Sequence, residues 1–195
     1  ALYVDHVAFP AAVPPMPDSQ HTYDFETNGQ TQWSTWATDP AGWQAYAWTN
    51  VYYATNAGYA GSVARAADAV FAGTNASFEL RKGVFLLEYN PPLNLSTKDH
   101  RKIQCKVKFE PPLEGLMSFD ASLNVFDKIT DQWYFKTYKI GGSDYNILEF
   151  DLANSNEYAA SSPRGPMDVS SIGFLSVQIF ANMAWTGTVY LDDVV

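Results

Sequence analysis

Apolar residues recur with a period of two through most of this chain, and that period decides its fold class. Successive side chains of a strand alternate between two faces, whereas a helix repeats its apolar face every 3.6 residues. The alternation predicts strands at Thr22 to Glu26, Trp43 to Tyr53, Ser77 to Arg81, Val84 to Tyr89, Arg101 to Phe109, Leu116 to Phe126, Gln132 to Ile140, Ile147 to Leu152, Ile172 to Ala181 and Thr186 to Val194. Between them lie turn and loop sequences: Asn90-Pro91-Pro92, Pro111 to Gly115, Gly141 to Asp144 and Pro163 to Pro166. The Ala-rich stretch from Ser62 to Phe71 is the exception and predicts a short helix within a loop. Short strands so spaced predict an all-β chain, a β-sandwich of two antiparallel sheets packed face to face.

The alternation also sorts residues onto an inner and an outer face. Phe119, Ala121, Leu123 and Val125 point inward and leave Ser118, Asp120, Ser122 and Asn124 outside. Leu175, Val177 and Ile179 leave Ser176, Gln178 and Phe180 outside. In the strand from Gln132, Tyr134, Lys136 and Tyr138 share one side and Trp133, Phe135 and Thr137 the other; parity alone does not say which side faces out. If these strands are neighbours, their outer faces make a surface of hydroxyls, amides, charges and aromatic rings. Such a surface suits a sugar.

Composition supports that chemistry. Aromatic residues are 15% of the 195, and Trp33, Trp36, Trp43 and Trp48 crowd into sixteen positions, with Tyr46, Tyr52 and Tyr53 alongside. Flat rings stack on the C–H face of a pyranose, while its hydroxyls take forked polar partners. Trp33 and Trp43 stand where strands begin and are expected to plug the core. Trp36, Trp48, Trp133 and Trp185 lie in or beside turns, where a ring is harder to bury, and are candidate platforms. The net charge of −9 disfavours nucleic acid and anionic membrane surfaces as partners, and no apolar run is long enough for a membrane span. Cys105 is the sole cysteine, in an alternating strand, and is expected to be a buried, inert thiol.

Leu2-Tyr3-Val4-Asp5-His6-Val7 returns near the end as Val189-Tyr190-Leu191-Asp192-Asp193-Val194. The repeat predicts that residues 1–9 are the last strand of a preceding module or a leader, residues 10–21 a Pro-rich linker, and residues 22–195 one complete module. Ala1 would then mark a cut or processed end.

The layout resembles the β-jelly-roll carbohydrate-binding modules of secreted glycoside hydrolases. The likeness rests on Tyr23-Asp24-Phe25-Glu26 with a Trp shortly after, on Arg101 to Pro111 as a strand ending in proline, and on Gly187 to Val194 as the closing strand. Gly42-Trp43-Gln44-Ala45, the Pro111 to Gly115 turn and Gln132-Trp133-Tyr134-Phe135-Lys136 are most similar to mannan-binding modules, from which the sequence departs in a long Asn50 to Asn75 insertion that could reshape the cleft. The resemblance implies a secreted, non-catalytic module that binds a plant or algal cell-wall polysaccharide, best a β-mannan or related β-glycan, and targets a covalently attached glycoside hydrolase or further binding modules. The residues expected to bind carbohydrate are Trp36, Trp48, Asp120, Asn124, Trp133, Tyr134, Lys136, Gln178 and Trp185. The resemblance further implies a structural Ca2+ held by Asp24, Glu26 and Asp192, a hard cation relieving the repulsion of converging carboxylates; solvated surface acids are the alternative.

Rival readings are a lyase or glycosidase of jelly-roll fold and a protein-interaction or adhesion sandwich. Glycoside hydrolysis needs two carboxyls about 5 to 9.5 Å apart, and Asp120 has no evident partner. Tyr134 and Lys136 could serve lyase chemistry, but the net negative charge disfavours a polyanionic substrate. His6, His21 and His100 form no catalytic set.

Overall fold

In the computed structural model, the described residues are 33–35, 47–59, 63–96, 102–115, 117–162 and 165–194. The repeated segment at residues 2–7, the linker, the strand at Thr22 to Glu26 with its two acids, and Trp36 and Trp43 lie outside them. Most of the strands predicted from alternation are present among the described residues. The strands are β1 (Trp33–Thr35), β2 (Trp48–Ala54), β3 (Ala64–Ala72), β4 (Lys82–Leu93), β5 (Lys102–Glu110), β6 (Phe119–Asp127), β7 (Gln132–Ile140), β8 (Asn146–Asp151), β9 (Ala159–Ala160), β10 (Ile172–Phe180) and β11 (Ala184–Asp192). They form two antiparallel sheets, ordered β1-β4-β10-β6-β7-β9 and β2-β3-β11-β5-β8.

One core fills the space between the sheets. Leu123, Val125, Leu175, Val177, Ile179, Phe85 and Leu87 meet Val107, Phe109, Leu148, Phe150, Val189 and Leu191, all buried. At one end Trp185 packs edge-on against Phe109 and Phe119, with ring centroids 5.6 and 5.9 Å away. Cys105 belongs to this core, and burial pushes its thiol pKa up, so it is the inert thiol expected.

The predicted helix at Ser62 to Phe71 is instead β3, an inner strand between β2 and β11. Alanine favours helix only by a fraction of a kcal/mol per residue, and burial on both faces outweighs it here. Ala67, Ala69 and Phe71 enter the main core, while Ala64 and Ala66 lie under Tyr190 and Tyr52 on the other face. Most of the supposed Asn50 to Asn75 insertion is therefore framework of the five-stranded sheet. Ser77 to Arg81 ends in a 3-10 turn (Glu79–Arg81) rather than a strand, and β4 runs on through Pro91 and Pro92. β9, two residues long, had no sequence prediction, and β1 begins at Trp33, where a strand start is expected without a range.

Candidate functional site

Pairing in the six-stranded sheet builds its outer face row by row. Phe174 on β10 stands opposite Glu88 on β4 and Phe126 on β6, and Phe126 opposite Trp133 on β7. The next rows are Leu86, Ser176, Asn124 and Phe135, then Val84, Gln178, Ser122 and Thr137, then Lys82, Phe180, Asp120 and Lys139. Two hollows lie on this face. One, of 450 Å³, is lined by Arg81, Asp120, Ser122, Phe135, Gln178 and Phe180 among others. Its neighbour, of 270 Å³, shares Asn124 and Gln178 and adds Trp133, Ser176, Leu86 and Lys82.

Aromatic residues gather at both ends. Phe126, Trp133 and Phe174 form a triad with centroids 5.2, 5.6 and 6.1 Å apart, and Lys128 Nζ lies 5.5 Å from the Phe174 ring. At the other end Phe78 and Phe180 meet at 5.0 Å, with Lys82 Nζ 4.8 Å above Phe78, whose ring is 45% exposed. Six residues of strand separate Phe174 from Phe180, about 20 Å at about 3.4 Å per residue. Between these pads the floor sets Ser176, Asn124, Gln178, Ser122 and Thr137 among Leu86, Val84 and Phe135. Gln178 makes no side-chain hydrogen bond among the described residues, and the buried Ser176 hydroxyl has no partner.

Asp120, Asn124, Trp133 and Gln178, predicted from sequence, do come together on this face. Asp120 is in ionic contact with Lys139. Asn124 is turned inward on the sheet: Nδ2 donates to the Ser122 carbonyl at 2.9 Å and the Ser176 carbonyl at 3.2 Å, and Oδ1 accepts from the Ser122 hydroxyl at 2.8 Å. Both its amide hydrogens are thus engaged, so Asn124 shapes the floor more than it reaches out.

Other predicted binding residues lie elsewhere. Tyr134 and Lys136 have the opposite parity to Trp133 and face inward, so neither belongs to the outer surface. Tyr134 is 1% exposed and donates to the Gly165 carbonyl at 2.9 Å. Lys136 ties β7 to β8, donating to the Glu149 carbonyl at 3.0 Å and pairing with Glu157 at 3.2 Å. Trp48 is 2% exposed, because Gly83 leaves room for its indole to lie against β4 and Nε1 donates to the Val84 carbonyl at 2.9 Å. Trp185 is 7% exposed on the core side of β11. Buried rings have no face to offer a sugar. Sequence reasoning did not single out Phe126, Phe174, Arg81 or Lys82; the even-numbered parity of β6 and β10 carried the signal for the two phenylalanines.

Of the expected metal ligands, Asp192 is described. It is fully buried at the end of β11, accepting from the Tyr59 and Asp193 amides at 2.6 and 2.8 Å. Lys106, opposite it on β5, pairs with Asp193 at 2.5 Å. Among the described residues no three His, Cys, Asp or Glu side chains converge as a metal site.

Among the described residues of these rows the carboxylates are Asp120 and Glu88, six residues apart along the strands. Their separation of about 20 Å along the strands exceeds the 5 to 9.5 Å that paired-carboxylate hydrolysis uses.

No family model matches the sequence, and no curated protein sequence matches it. Solved structures do match the fold. A carbohydrate-binding module specific for non-crystalline cellulose superposes with a TM-score of 0.60 at 12% identity, covering 88% of this chain and 90% of that one. A module from Caldicellulosiruptor saccharolyticus, in complex with mannohexaose, gives 0.56 at 13% identity over 89% and 93%. An exo-β-agarase gives 0.60 at 11% identity, and this chain spans 24% of that longer protein. The chain therefore has the β-jelly-roll fold of carbohydrate-binding modules.

Proposed function

We propose that this chain is a non-catalytic carbohydrate-binding module that lays a polysaccharide across the outer face of its six-stranded sheet. The observation that carries the reading is one face with aromatic pads at both ends and a floor of interleaved polar and apolar side chains between them. Sugar rings stack on Trp133 and on the Phe78–Phe180 pair, and Gln178 and Asp120 take their hydroxyls. The preferred ligand class is a plant or algal cell-wall β-glycan, a β-mannan first. The protein is secreted and brings an attached glycoside hydrolase to its substrate.

Affinity electrophoresis through gels containing glucomannan, xylan, hydroxyethyl cellulose or agarose tests this. Retardation without release of reducing sugar is expected. Sugar release would favour the glycosidase or lyase reading, and migration unchanged in every gel would favour the adhesion reading.

A structural Ca2+ is part of the same proposal, with Asp24 and Glu26 joining Asp192. A carboxylate at the end of β11 is the oxygen donor such a hard cation takes.

A further inference from the structure

Arg81 differs from the other cations beside the groove. Lys139 contacts Asp120, and Lys82 lies over the Phe78 and Phe180 rings. Arg81 is fixed through its main chain, its N–H donating to the Phe78 carbonyl at 3.1 Å and its carbonyl accepting from Ala181 at 2.9 Å. Its guanidinium has no such anchor: Nε is buried without a hydrogen-bond partner, and among the described residues no carboxylate pairs with it. Yet Arg81 lines the larger hollow, with Thr74, Gln178 and Asn182 beside it.

A guanidinium keeps its charge at any ordinary pH and presents a rigid fork that fits two oxygens of one anion. A buried donor left unpaired is costly unless something completes it. Asp120 is already engaged by Lys139, so Arg81 brings to this end of the groove a positive charge that no described carboxylate pairs, in a chain of net charge −9. We infer that it takes an anionic substituent of the bound glycan, a carboxylate or a sulfate ester, placed against Arg81. The inference rests on the carbohydrate-binding reading above and narrows it. The overall negative charge repels densely charged polymers, but with a Debye length of about 8 Å at physiological salt a single substituent responds mainly to its immediate partner. A sparsely substituted chain satisfies both conditions.

The test uses glucomannan, hydroxyethyl cellulose and agarose, each as the neutral polymer, after light oxidation of primary alcohols to carboxylates, and after light sulfation. Dissociation constants come from affinity electrophoresis of the whole chain. The expected result is that, for a polymer that retards the protein, one modified form binds at least threefold more tightly than its parent. That ratio should fall toward one in 0.5 M NaCl and in Arg81→Gln, while Arg81→Lys, which keeps the charge without the fork, should fall between. The form that gains identifies the substituent. Equal retention of parent and both modified forms by the unaltered protein would overturn the anion inference and leave sugar binding standing, whereas failure to bind any polymer would overturn both. A preference that survives Arg81→Gln would also overturn the assignment. The comparison on unaltered protein needs no variant to fold.

Discussion

Trp133 and Trp48 show how one residue type serves opposite purposes on the same scaffold. Trp133 stands on the outer face, half-buried beside Phe126 and Phe174. Replacing it with alanine removes a stacking surface without opening the core. Trp133→Ala is expected to weaken glycan binding by about 1 to 3 kcal/mol with an unchanged far-ultraviolet circular dichroism spectrum, read by isothermal calorimetry on whichever polymer retards the protein. Trp48 depends on an absence. A Cβ on Gly83 would stand 2.3 Å from its Cζ2, and the ring, 2% exposed, has nowhere to withdraw. Gly83→Ala should therefore cost about 1 to 3 kcal/mol of stability, measured as a lowered urea midpoint, through overpacking. Both tryptophans lie near turns, and sequence gave them the same reading. What separates them is a glycine thirty-five positions away in the chain.

At the scale of elements, alternation revealed most strands and the two faces of β6 and β10, because inner residues must be apolar where the sheets meet. It did not reveal β3, where alanines carry little strand preference and only the partners β2 and β11 decide the outcome. Nor did it orient β7. That strand sits near the sheet edge, so its inward Lys136 can extend past the core to Glu157, and aromatic residues occupy both faces. The Glu157 carboxyl is held below its ordinary pKa range, first by the Asp151 amide at 3.2 Å and then by Lys136. A group whose native pKa is depressed binds fewer protons folded than unfolded, so its contribution is present above the ordinary glutamate range and fades as the pH falls through it. Glu157→Gln should accordingly flatten the loss of stability between about pH 6 and pH 3, seen as a smaller drop in melting temperature than in the parent. An identical drop in both proteins would remove this link from β7 and the segment after β8.

For the whole molecule, the two sheets divide the work. The five-stranded sheet is framework, its far face carrying Tyr190, Tyr52 and Tyr145 over the alanines of β3. The six-stranded sheet carries the proposed ligand surface. If Asp192 helps hold a structural cation, that ion lies on the framework sheet, so EDTA should lower the melting temperature while leaving glycan affinity nearly unchanged once the protein is held below that temperature. A melting curve indifferent to EDTA and to added Ca2+ would argue against any such ion.

On the proposed binding face, the spacing between the Trp133 triad and the Phe78–Phe180 pair would make the surface a measuring device. A short oligosaccharide engages one pad and leaves the other in water. One long enough to bridge the gap of about 20 Å makes its second contact without a second encounter, as two tethered binding events do. Affinity should hence rise in a step, not a slope, as rings are added in a calorimetric series of increasing oligomer length. The protein would discriminate polymer from breakdown fragments by reach alone.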